Sequence, residues 1–102
     1  MKRVKIGRLE DFPREAIRGV EAEDRKIIVV NLEGELHALD GICTHAYAEL
    51  QNGFLGGGLV TCPLHLSRFD VETGEATNPP AEEPLRRYEV EVEDGVVYLL
   101  LE

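Results

Sequence analysis

The sequence predicts an all-β chain, an antiparallel β-sandwich or barrel base with a small loop-built subdomain inserted at about residues 40–80. Three observations carry that expectation. Segments near both termini alternate charged with apolar side chains, the period of a strand with one wet and one buried face. Two segments run into Glu-Gly and Asp-Gly steps of the kind that join paired strands. Between them, residues 40 to 84 gather glycines at 41, 53, 56, 57, 58 and 74, prolines at 63, 79, 80 and 84, and both cysteines. The chain has 102 residues, the size of a single domain (1–102) with one compact core.

Taken in order, Lys2-Arg3-Val4-Lys5-Ile6-Gly7 alternates as a half-buried strand, and Leu9 to Pro13 breaks it. Arg14 to Val20 fits either a helical turn or an extended edge. Lys26-Ile27-Ile28-Val29-Val30-Asn31-Leu32 is rich in β-branched residues, and Glu33-Gly34 turns it into Glu35-Leu36-His37-Ala38-Leu39, which makes a hairpin. A second hairpin closes the chain: Arg87 to Glu93 alternates, Asp94-Gly95 turns, and Val96 to Leu101 returns. Gly56-Gly57-Gly58 reads as a hairpin tip, because no strand-to-helix pattern with a following lysine supports a phosphate cradle.

The formal net charge is −9, from 20 acidic and 11 basic residues, so the surface repels nucleic acid and anionic lipid and suits a basic protein partner. Glu82, Glu83, Glu89, Glu91 and Glu93 read as solvated faces. The start of the chain lacks the apolar region of a secretory signal, and no apolar run approaches a membrane span. A cytoplasmic, unanchored monomer is the expectation.

The chemistry lies in Cys43-Thr44-His45 and Cys62-Pro63-Leu64-His65, two mixed Cys/His pairs on separate loops that use both cysteines and two of the three histidines. Two sulfur and two nitrogen donors suit tetrahedral zinc or an iron-sulfur cluster. Zinc fingers usually pair cysteine with cysteine and histidine with histidine, placing the second pair on a helix, and the glycines and prolines here argue against a helix. His37, within a strand, reads as a satisfied or solvent-facing histidine rather than a fifth ligand.

These two boxes resemble the cluster-binding boxes of the Rieske family. The resemblance extends to residues 35 to 42, 50 to 55 and 69 to 76, and to Asn78-Pro79-Pro80, where the family runs a proline loop past its cluster. It is strong from 35 to 80 and looser in the terminal strands. It implies one 2Fe-2S cluster, with Cys43 and Cys62 on one iron and His45 and His65 on the other. Two imidazoles in place of two thiolates remove negative charge and ease the uptake of an electron, so such centres lie at ~ −150 to +300 mV rather than about −400 mV. Respiratory members carry a disulfide at the positions of Ala48 and Leu64, and a serine and tyrosine at those of Ser67 and Phe69. With no disulfide, and with a phenylalanine that has no hydroxyl to give, a potential in the lower half of the range is expected. Leu66 departs from the glycine frequent after the second histidine.

By this resemblance the chain is a one-electron carrier between a reductase and an oxygenase-type partner, as in multicomponent dioxygenases, and not itself an enzyme. Two other readings stand beside it, a small redox subunit of a complex such as nitrite reductase and a zinc-stabilised interaction module.

Overall fold

The computed structural model describes residues 2–44, 47–64, 66–79 and 81–101. Among these described residues ten strands are found: β1 Lys2–Arg8, β2 Ile17–Ala22, β3 Arg25–Leu32, β4 Glu35–Asp40, β5 Phe54–Gly56, β6 Leu59–Thr61, β7 Arg68–Asp70, β8 Ala76–Asn78, β9 Arg87–Glu93 and β10 Val96–Leu101. They form two antiparallel sheets. The base is a six-stranded sheet in the order β1-β10-β9-β4-β3-β2, curled so that its end strands β1 and β2 approach each other. The second sheet, β5-β6-β7-β8, lies in the central window.

Both expected hairpins form, with Val30 opposite His37 in one and Val97 opposite Val92 in the other. Glu33 and Gly34 (φ 52° and 96°) and Asp94 and Gly95 (φ 52° and 77°) all take left-handed conformations. Two consecutive positive φ angles match the right-handed twist of the strands they join. Leu9–Asp11 is a 3-10 turn in which Asp11 Oδ2 accepts the Arg8 N–H at 2.9 Å. Of the undecided segment at 14 to 20, Arg14 and Glu15 form a turn and Ile17 begins the edge strand β2, which pairs with β3 from Ile17 opposite Val30 to Ala22 opposite Arg25.

The continuous apolar run in β3 has a simple cause, which is that both faces of this strand are buried. Ile27 and Val29 point into the base with Ala38, Val97, Leu99 and Leu101. Ile28 and Val30 point the other way, into a core shared with Leu39, Cys43, Leu50, Val60, Cys62, Phe69 and Val71. A strand with water on one face would alternate; one that serves two cores cannot. Asn31, buried at its end, spends its amide on local backbone: Nδ2 donates to Phe12 O at 2.7 Å and Oδ1 accepts Gly34 N–H at 2.9 Å.

The central window is more regular than the expected loop-built subdomain, since four three-residue strands carry its loops. Strands that short show no legible alternation. The Gly56–Gly58 segment is the tip of the β5–β6 hairpin, with Gly57 and Gly58 at φ 58° and 76°. Gly74 (φ 81°) is required twice over, because a Cβ there would also collide with the Leu85 carbonyl oxygen.

Candidate metal centre

Cys43 follows β4 and Cys62 follows β6, so each sits where a strand leaves its sheet and opens into a loop. Both are buried, at 4% and 1% exposure, in the core between the two sheets, and no disulfide joins them. The two loops are closed alike. The Cys43 N–H donates to Ala48 O at 3.0 Å and the Cys62 N–H to Ser67 O at 2.7 Å, in each case five residues on. A backbone closure of this kind pulls the chain back on itself and holds the cysteine at the loop's root. The first loop is closed again by the Ile42–Glu49 bridge and by Leu50 N–H on Gly41 O at 2.8 Å.

Residues 81 to 85 strap the two loops together. Thr44 Oγ1 in the first loop donates to Glu83 O at 2.8 Å, and the Ala81 N–H donates to Ser67 Oγ in the second at 3.1 Å. Ala81 and Leu85 anchor the strap in the core, leaving Glu82 and Glu83 exposed, as is Pro79 ahead of it. Sequence reasoning singled out Pro79 for this neighbourhood, yet the tethering atoms belong to Thr44, Ala81 and Glu83. A threonine between a cysteine and a histidine was the available signal for the first of these; the backbone partners left none.

Ser67 is fully buried, and the Ala81 contact uses its oxygen as acceptor while its single proton remains for donation. Phe69 is fully buried in the cysteine core. Ala48 is buried and Leu64 is 57% exposed. Leu66 takes φ 58°, the left-handed conformation that a glycine would occupy without strain. His45 and His65 lie outside the described residues, so of the expected ligand set the structure describes the two cysteines, which share one buried core cluster. His37 is on β4 opposite Val30, lining a shallow groove with Glu35, Tyr88 and Glu89.

The foot of the first loop carries a polar clamp that the sequence did not disclose. Tyr88 Oη donates to Asp40 Oδ1 at 2.6 Å, and Asp40 N–H donates to Arg86 O at 2.9 Å. Burial raises the Tyr88 pKa above the ordinary tyrosine value, and the bond to Asp40 adds to the shift. Lys26 Nζ donates to Glu49 Oε1 at 2.7 Å, and that carboxylate raises the lysine's pKa in turn. Chemically, two buried sulfurs at the roots of closed, cross-strapped loops suit soft metal ligation in a fixed frame. Among the described residues no helix is long and apolar enough to cross a membrane.

The family model of the Rieske [2Fe-2S] domain matches residues 2–89. The ferredoxin component of the naphthalene 1,2-dioxygenase/salicylate 5-hydroxylase systems of Ralstonia sp. is 39% identical over 94 residues, 92% of this chain and 90% of that one. A chain in the complex of reduced oxygenase and oxidized ferredoxin of carbazole 1,9a-dioxygenase superposes with a TM-score of 0.89 at 33% identity, covering 95% of this chain and 91% of that one. The ferredoxin of carbazole 1,9a-dioxygenase from Nocardioides aromaticivorans IC177 reaches a TM-score of 0.94 at 27% identity over all of both chains.

Proposed function

We propose, given that this chain belongs to the Rieske [2Fe-2S] domain family, that Cys43, His45, Cys62 and His65 hold one 2Fe-2S cluster and that the protein passes single electrons from a reductase to an oxygenase-type partner. The observation that carries the ligand assignment is the paired construction of the site. Two buried cysteines, each closed by a backbone bond to the fifth residue on, stand two and three positions ahead of a histidine in sequence. The Ralstonia relative named above is the ferredoxin component of its dioxygenase and hydroxylase systems, which supports the electron-carrier reading.

The cluster, when bound, supplies a site that accepts and returns one electron. The chain's own residues set the terms of that exchange. Cys43 and Cys62 supply thiolates from a dry core, where charge is expensive unless neutralised by metal. His45 and His65 supply neutral nitrogen donors, which keeps the total charge low enough to tolerate one more electron. Ser67 and the strap hold the loops against displacement. Ser67 has a proton to offer a sulfur and Phe69 has none, which favours a potential in the lower half of the Rieske range.

The test is electron paramagnetic resonance of the dithionite-reduced protein, with iron, sulfide and zinc quantified on the same sample. The expected result is equal iron and sulfide, no zinc, and a rhombic signal that is lost or altered in His45→Ala and His65→Ala. Absence of sulfide, or a spectrum indifferent to both histidine substitutions, overturns the assignment.

A further inference from the structure

Leu66 is unfavourable in two independent ways. Its backbone takes φ 58°, where the Cβ of an L-residue crowds the following carbonyl. Its side chain is 59% exposed, so burial returns little for that strain. Leu64, on the other side of His65 in sequence, is 57% exposed. Among the described residues six large hydrophobic side chains are exposed, and three of them, Tyr47, Leu64 and Leu66, lie in the two short loops that carry the proposed ligands. Apolar side chains held in water beside a redox site, one of them on a strained backbone, are explained by a contact made outside the monomer.

We propose that Leu64 and Leu66 are apolar anchors by which this chain docks on the terminal oxygenase that takes its electron, and that leucine rather than glycine stands at 66 for that contact. The proposal rests on the cluster reading above. Charge selects among the possible occupants. The exposed Glu82 and Glu83 lie on the strap tied to the first loop through Thr44, and the whole chain carries −9. A second copy would bring the same charge and be repelled, whereas an apolar socket with a basic rim is complementary. A structurally similar chain occurs in a complex of ferredoxin with its oxygenase. In such an interface a few desolvated apolar anchors supply most of the affinity while rim charges steer the encounter.

The experiment uses the reduced holoprotein and measures second-order electron transfer to the oxidised oxygenases of the naphthalene and carbazole dioxygenase systems by stopped flow. Leu66→Gly is expected to raise the apparent melting temperature by roughly 4 °C, because strain is relieved. It should leave the visible and paramagnetic spectra and the potential in place, and slow transfer about tenfold. A melting temperature that rises while transfer falls is a signature no merely structural role produces. Leu64→Ser, whose backbone is not left-handed, should slow transfer similarly and keeps the test valid if Leu66→Gly misfolds. Leu9→Ser, which removes an exposed leucine of the base, should change nothing. Wild-type rates in both leucine variants, or a wild type that transfers to neither oxygenase, overturn the docking role. So does a defect confined to reduction by a flavoprotein reductase, or wild-type dimers in sedimentation that Leu66→Gly dissolves. A wild type without the cluster spectrum sinks the cluster reading itself, and is thereby told apart from a failure of docking alone.

Discussion

Ser67 shows how much one residue can hold at this site. Its carbonyl closes the second loop on Cys62 and its hydroxyl oxygen receives the strap at Ala81. Ser67→Ala keeps the first bond and loses the second, leaving the Ala81 N–H buried without that acceptor, which costs about 1–3 kcal/mol. Any bond from the hydroxyl proton to a sulfur goes as well, and such bonds favour the more negative reduced state. Chemical denaturation should therefore show a less stable Ser67→Ala protein, and a potentiometric titration a lower potential. A stability loss with the potential unmoved would show that this proton does not reach the cluster. Ser67 was legible in the sequence by its place after the second histidine. Its tie to Ala81 was not, because the partner is a backbone amide that carries no residue-type signal.

At the scale of elements, the hairpins were readable where a Gly follows an acidic residue, at Glu33-Gly34 and Asp94-Gly95. The β2–β3 turn was missed, since Glu23 and Asp24 both take left-handed conformations (φ 52° and 64°) without a glycine or asparagine to announce them. In the central sheet the β5–β6 tip at Gly56 to Gly58 was legible, while the strands β5 to β8 themselves were hidden by their length. The clamp from Tyr88 on β9 to Asp40 at the end of β4 was hidden by separation, 48 residues along the chain. That clamp makes a pH prediction. Tyr88 has its pKa raised by burial and by its bond to Asp40, so it stabilises the fold fully below the ordinary tyrosine pKa of about 10 and less as pH climbs through the raised value. In urea titrations Tyr88→Phe should be less stable by roughly 1 kcal/mol at pH 7, a figure kept small by the residue's part exposure. Above pH 10 that difference should shrink as the wild type loses stability; a difference constant to pH 11 would show that the hydroxyl is not protonation-linked to folding.

For the whole molecule, the charge of −9 acts at a distance that salt controls. The screening length falls from about 30 Å at 0.01 M salt to about 3 Å at 1 M. Electron transfer to a basic-rimmed oxygenase should therefore slow steadily as sodium chloride is raised in stopped-flow measurements, with the potential of the isolated protein little changed. Acceleration with salt would mean that the partner's docking face is acidic.

The double-sided burial of β3 reaches furthest into function. Ile28 and Val30 form the floor under the cysteines while Ile27 and Val29, on the same four residues of chain, fill the base. Material packed to crystal-like density on either side yields little to a sudden local force. When a unit of charge arrives above such a floor the surrounding atoms have small room to rearrange, and a small rearrangement means a low barrier to the hop. The six-stranded base, far from being a passive pedestal, would then let a cluster held at Cys43 and Cys62 change its charge without changing its shape.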